Sequence, residues 1–222
     1  MYVYYGIGDK YGYGYVFPKC EHVNLGVGYL LSYFRKYIKK RPWEDHLEFV
    51  ESLKKSAILA GHSTRDNFHA YLLPVGGPLR RVSTNRIMLV GDAAGFVNGF
   101  TAEGIYYAMV SGEHAAATAR DALLLKGLDN HALRSYDDRC LAEVGYELRK
   151  SVVIQRCLLA HPTRIDKIVA LASKNADICK LFTDFSTGKI SYSKFKRQVI
   201  PKALPFYISY KVSKLWHKLL GQ

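Results

Sequence analysis

The spacing of apolar positions changes twice along the chain. In the opening segment it is two: Tyr2 and Tyr4, then Tyr11, Tyr13, Tyr15 and Phe17, alternate with other residues, and Gly8-Asp9-Lys10 between the runs is a turn signal. A β-hairpin is expected there. A third strand is expected over residues 22–31, whose glycines suit close approach by another backbone or a ligand. Over residues 42–60 the spacing becomes helical, with Trp43, Leu47, Val50, Leu53 and Ala57 three or four apart, Glu44, Glu48 and Lys55 opposite, and Gly61 as the stop.

Residues 70–78 are a short apolar run closed by Pro74-Val75-Gly76-Gly77-Pro78, and Ile87-Met88-Leu89-Val90 is a bare apolar strand ending in Gly91-Asp92. A strand apolar on both sides is expected in the middle of a parallel sheet. Residues 103–126 are alanine-rich and free of proline, which predicts a helix against that sheet with Gly127 as its stop. Beyond residue 131 the pattern is helical, with interruptions expected at Pro162, Gly188, Pro201 and Pro205. No internal repeat is visible. Three segments follow: an antiparallel sheet with its helix over 1–80, a strand-loop-helix segment over 81–130, and a helical region over 131–222.

Composition narrows the class. With 49% hydrophobic and 23% charged residues in 222, the chain can bury a core and is not disordered. Lys and Arg outnumber Asp and Glu by 32 to 19, a net +13 that favours anionic partners. The four cysteines, Cys20, Cys140, Cys157 and Cys179, have no C-x-x-C spacing and are expected as free thiols in a reducing compartment. Cys20 has no neighbouring His or charge pattern of a reactive thiolate, and the scattered histidines suggest no metal site. The chain shows no apolar run of membrane-spanning length and no signal-peptide pattern at its start, so a cytoplasmic protein is expected, free or at the inner membrane face.

The chemistry concentrates in Gly91-Asp92-Ala93-Ala94-Gly95 and the following Asn98, Phe100-Thr101 and Glu103-Gly104-Ile105. A carboxylate stands at the carboxyl end of a strand, small residues follow, and a glycine opens a long helix. Ligands of α/β sheets sit outside such strand ends, and unpaired N–H groups at a helix entrance suit a phosphate or developing anion. The other reading of the same pattern is a tight turn in which Asp92 only caps the helix.

This stretch resembles the second FAD-binding motif of the geranylgeranyl reductase family of flavoproteins. Tyr13-Gly14-Tyr15-Val16-Phe17-Pro18-Lys19 with Asn24-Leu25-Gly26-Val27-Gly28 resembles the family's aromatic substrate-domain signature, and with Pro74-Val75-Gly76-Gly77 the likeness runs from about residue 2 to residue 125. Tyr15 stands where the family usually has Trp, and Gly99 and Ala102 where Pro and Gly are common. The family's amino-terminal Rossmann G-x-G-x-x-G is missing, because Gly26-Val27-Gly28 lacks the third glycine and a following helix.

The resemblance therefore implies an α/β (α+β) chain: an FAD/NAD(P)-binding-type fold without its Rossmann β-α-β unit, with an antiparallel substrate-domain sheet and a helical carboxyl-terminal region. It implies the carboxyl-terminal part of a longer flavoprotein, completed by an amino-terminal segment or a partner chain. FAD would be held by Gly91, Asp92, Ala93, Gly95, Gly104 and Ile105, with Asp92 on the ribityl chain or adjoining phosphate and the backbone of Gly104 and Ile105 facing the pyrimidine ring. Tyr13, Tyr15, Phe17 and Pro18 would line the path of a prenyl lipid, although an aromatic stripe of period two is also ordinary sheet core. The implied activity is reduction of prenyl double bonds. A flavin monooxygenase, a quinone-linked dehydrogenase and a non-catalytic lipid-binding remnant remain as alternatives. No nucleic-acid motif is present.

Residues 189–222 hold seven Lys and one Arg with no Asp or Glu. Ile208, Val212, Leu215, Trp216 and Leu219 form one helical stripe there, with Lys211, Lys214 and Lys218 on another face. A basic amphipathic helix able to lie on an anionic membrane surface is expected.

Overall fold

A computed structural model describes residues 1–125, 127–159 and 162–202. The chain divides into two compact units, Met1–Leu72 and Leu73–Gln222. Residues 73–80 thus go with the second unit, and the expected segments 81–130 and 131–222 lie in one unit.

The first unit is an antiparallel meander of β1 (Tyr2–Ile7), β2 (Lys10–Pro18) and β3 (Val23–Gly28), with helices α1 (Leu31–Tyr37) and α2 (Pro42–Lys55). The register pairs Tyr5 with Tyr13 across the hairpin, and Tyr13 with Gly28 and Phe17 with Asn24 on the other side. Alternation along β2 sends Gly12, Gly14 and Val16 to a buried face and Tyr13, Tyr15 and Phe17 to the opposite, half-buried one. Phe49 and Leu53 of α2 pack with Val16 in the core of this unit, each side chain contributing roughly 1.5–3 kcal/mol by burial. Gly14 fits closely under α2, since an added Cβ would lie 3.0 Å from the Phe49 ring.

Two boundaries differ from expectation. The third strand stops at Gly28, and the apolar run continues as α1. Helix α2 ends at Lys55 rather than at residue 60: Ala57 takes the left-handed conformation (φ 55°), and the N–H groups of Ile58 and Leu59 return to the Leu53 carbonyl. That reversal packs Ile58 and Leu59 against the core before Gly61 is reached.

In the second unit the expected parallel strand is corrected. Residues 87–90 give β5 (Ile87–Met88), paired antiparallel with β4 (Ser83–Thr84), and no parallel sheet occurs among the described residues. The apolar run is real, but its only described strand neighbour is two residues long, so Met88 and Leu89 reach the core while Ile87 and Val90 stay exposed. Helix α3 (Ile105–Leu124) starts two residues later than expected. It buries Val110, Ser111, Thr118 and Ala122, and its other side leaves Ile105, Met109 and Leu123 exposed by 78, 72 and 63%.

Helix α4 (Asn130–Cys140) passes through a π-helical turn, Leu141–Gly145, into α5 (Tyr146–Leu159) without leaving helical backbone. Gly145 packs closely in that turn, where a Cβ would lie 2.9 Å from the end of the Leu141 side chain. Tyr136, Cys140, Val144 and Leu148 line its inner side and pack on Val82, Ala94, Phe96 and Val110. Burial pushes the Cys140 thiol up to about 11, and all four cysteines are free. Pro162 opens α6 (Pro162–Lys174), where a missing N–H costs nothing, and Gly188 (φ 72°) follows α7 (Ala176–Ser186). Pro201 does not interrupt: the last described helix covers residues 192–202. The basic stripe from Ile208 to Leu219 lies outside the described residues, as does Pro205. No helix among the described residues is long and apolar enough to cross a membrane.

Candidate functional site

The turn at Gly91–Ala94 is built by glycine and by a side chain from α3. Gly91 is left-handed (φ 52°), and its N–H donates to Ser111 Oγ at 3.0 Å, while Phe96 N–H closes the turn on the Gly91 carbonyl at 3.0 Å. Gly95 (φ 72°) lies so close to the neighbouring loop that a Cβ would be 2.6 Å from the Gly77 carbonyl oxygen. The Leu79 N–H donates to the Ala94 carbonyl at 3.0 Å, which ties the Pro74–Pro78 loop to the same turn.

This packing leaves Asp92 and Ala93 exposed while Gly91, Ala94 and Gly95 are buried. The Asp92 carboxylate points at the start of α3: a Cβ on Gly104 would be 3.2 Å from Asp92 Oδ1. It is not a cap. Helix α3 has no side-chain N-cap, its N-cap position is Gly104, and the Tyr106 N–H is taken by Glu103 Oε1 at 2.8 Å. Five of the residues expected at one site, Gly91, Asp92, Ala93, Gly95 and Gly104, are therefore gathered around one helix entrance, with Ile105 open beside them.

The loop between turn and helix is organised by Asn98. Its Oδ1 accepts from the N–H of Phe100 (2.9 Å) and Thr101 (3.1 Å), its carbonyl from Ala102 N–H (2.9 Å), and its own N–H donates to the Glu103 carbonyl (2.8 Å). Ala102 sits in the left-handed region at φ 58°, where glycine would be unstrained.

Sequence reasoning gave helix over these residues but missed the two side chains that hold this loop. On α5, Ser151 and Gln155 are 2 and 6% exposed. Gly99 N–H donates to Ser151 Oγ at 2.7 Å, and Gln155 Nε2 donates to the Gly99 carbonyl at 2.7 Å and to the Val75 carbonyl at 3.2 Å. A Cβ on Gly99 would meet the Val152 backbone at 3.1 Å. One turn of α5 thus fastens the 73–78 and 98–104 loops together. The available signal was a polar pair four residues apart on a face otherwise apolar at Leu148 and Val152.

The expected substrate residues lie in the first unit. Tyr13, Tyr15 and Phe17 form a continuous aromatic strip, with ring centroids 5.9 and 4.8 Å apart, on the sheet face away from α2, and Pro18 ends the strand exposed. Tyr15 lies over Gly26, where a Cβ would be 2.7 Å from its hydroxyl oxygen. Burial raises the pKa of both tyrosines, Tyr13 and Tyr15. Among the described residues no group of three His, Cys, Asp or Glu could hold a metal.

Known proteins place this arrangement among reductase-like folds. A geranylgeranyl bacteriochlorophyll reductase-like protein from Thermoplasma acidophilum superposes with a TM-score of 0.57 at 20% identity, over 87% of this chain and 47% of that one. No family model matches the chain. A digeranylgeranylglycerophospholipid reductase from Methanocaldococcus jannaschii is 31% identical over 192 residues, covering 86% of this chain and 44% of the relative. A digeranylgeranylglycerophospholipid reductase 1 from Methanococcoides burtonii is 29% identical over 182 residues, 80% of this chain and 42% of the relative. Over the matched residues these likenesses support a member of the geranylgeranyl reductase family. It spans less than half the length of these curated relatives.

Proposed function

We propose that this chain is part of a flavin-dependent reductase that saturates double bonds of geranylgeranyl or related prenyl lipids. The observation that carries the reading is the Asp92 carboxylate set against the glycine-opened entrance to α3. The donor set fits FAD: a carboxylate accepts from ribityl hydroxyls, and Gly104 keeps the helix entrance free of a side chain, while Gly91 and Gly95 let the turn that carries Asp92 pack tightly behind it. FAD, when bound, supplies the hydride chemistry. The chain's own contribution is positional and electrostatic. Asp92 would hold the ribityl chain, and the amino end of α3 at Gly104 and Ile105 would favour negative charge on the adjoining pyrimidine ring. Tyr13, Tyr15, Phe17 and Pro18 offer an apolar strip for a prenyl chain. Such a substrate seldom leaves the bilayer, which supports action at a membrane surface, on the cytoplasmic side in our reading.

A completing partner belongs to the same proposal. Ile105, Met109, Ala116 and Leu123 fall on one side of α3, exposed, with Gly112 between them facing open space. Exposed apolar stripes mark surfaces that meet another polypeptide, a ligand or a membrane. We assign this one to a Rossmann segment carrying the ADP half of the FAD site, supplied by the same protein or by a separate chain.

The test is to co-express the chain with such a segment and measure bound flavin after dialysis. The chain alone is expected to lose FAD and the pair to retain it stoichiometrically, with Asp92→Ala weakening retention by about 1–3 kcal/mol. Anaerobic oxidation of the reduced flavin by a geranylgeranyl lipid is expected of the pair. Unchanged flavin content in the Asp92 variant would remove the basis of the assignment.

A further inference from the structure

Five of the seven residues from Arg35 to Arg41 are cationic (Arg35, Lys36, Lys39, Lys40 and Arg41), with no acidic residue among them. In an ordinary solvated surface these charges would be met by the carboxylates of the adjoining helix α2. Among the described residues Lys40 alone of the five is met, by Glu48, and the other carboxylates of α2 are committed elsewhere. Asp45 accepts from Lys10 Nζ at 2.5 Å, Glu48 accepts from Lys10 at 2.7 Å and from Lys40, Glu51 pairs with Lys54 at 2.9 Å, and Glu44 accepts from the Arg41 backbone N–H at 3.0 Å. Arg35, Lys36, Lys39 and Arg41 have no carboxylate partner among the described residues, and all four are exposed.

The same element carries apolar groups outward. Helix α1 buries none of its residues, and Leu31 and Tyr37 are 41 and 56% exposed. Lys36 Nζ lies 5.1 Å from the Tyr37 ring centroid, so charge and aromatic surface are presented together. The backing is firm: Ile38 is buried, Tyr33 packs 4.9 Å from Tyr37 and 5.7 Å from Tyr11, and the Tyr33 hydroxyl accepts from Tyr11 N–H at 3.1 Å. Unpaired cations around a leucine and a tyrosine, on a braced element, match a bilayer interface, where the cations meet lipid phosphates and the apolar groups enter the headgroup layer.

We propose that α1 and the Arg35–Arg41 segment form a docking surface for an anionic phospholipid bilayer. The inference stands apart from the flavin reading, since it uses no residue of that site, and apart from the basic stripe between Ile208 and Leu219.

Sedimentation of the full chain with vesicles tests it. Binding is expected to vesicles containing about 30% phosphatidylglycerol at about 50 mM salt, and not to pure phosphatidylcholine, with loss at about 500 mM salt. Arg35→Glu, Lys36→Glu and Lys39→Glu together should reduce binding at least about tenfold, and the three Gln substitutions by less, with unfolding midpoints unchanged because the side chains are exposed. Lys211→Glu, Lys214→Glu and Lys218→Glu together should have the smaller effect. Equal binding to neutral vesicles, no binding at low salt, or loss only with the 211/214/218 variant would each overturn the proposal. So would a single-stranded RNA that binds more tightly than the vesicles and is released by the Arg35/Lys36/Lys39 variant.

Discussion

Ala102 and His46 are two side chains whose own chemistry opposes the fold. Ala102 holds a left-handed backbone at φ 58° inside the loop that Asn98 organises. Glycine relieves that strain, so Ala102→Gly is expected to stabilise the chain by about 0.5–1 kcal/mol net of its unfolded-state entropy, measured by urea unfolding. His46 is the other. It is buried against Trp43 and Phe68, its Nε2 lies 3.0 Å from Ser63 Oγ, and burial lowers its pKa from 6.5 although Asp45 beside it pulls the other way. The folded state then binds fewer protons than the unfolded one below pH 6.5, so this residue has no effect on stability above that pH and costs stability as pH falls through the folded pKa. Replacing it with Gln should flatten the stability difference between pH 7 and about pH 5, read from unfolding curves at the two values. The run of small residues before α3 was legible in the sequence as room for a ligand, whereas the left-handed backbone that packs Gly91 against α3 and Gly95 against the 73–78 loop was not. The strain at Ala102 was not, since nothing in an alanine announces its dihedral angle.

Among elements, α5 decides the shape of the candidate site without contributing a residue to its exposed surface. Removing the Gln155 amide takes the donor away from the buried Gly99 carbonyl and from the half-buried Val75 carbonyl. Gln155→Leu is therefore expected to destabilise the unit by roughly 2 kcal/mol and to speed amide exchange across residues 98–104, while α4 stays protected. Equal exchange rates in the variant and the parent would show that the loop holds itself. The period-two strands and the helix over Pro42–Lys55 were readable because each buries one face within a few residues of its own sequence. The strand at 87–90 was misread for a related reason: apolar residues report that a strand is covered, and its neighbours are named by other parts of the chain. Ser151 and Gln155 escaped notice because a polar pair on a helix gains meaning only when the loop it holds is in place.

At the scale of the molecule, the likeness to the geranylgeranyl reductase family was carried by motifs in both units, the aromatic strip in the first and the glycine turn in the second. The resemblance could be read because both motifs are short and local. The exposed side of α3 could not be read, since alanine and glycine spaced for packing look the same whether or not a partner covers them. Where the chain can change in length is set by the turn at Leu141–Gly145. A π-helical turn holds one residue more than an α-helical one. Loss of a single residue within it closes the turn to ordinary width and leaves α4 and α5 in their places. A deletion early in α5 instead swings everything beyond it by about 100° and carries Gln155 away from Gly99. The long helix thus has one link of slack, lying ahead of the residues that must not move.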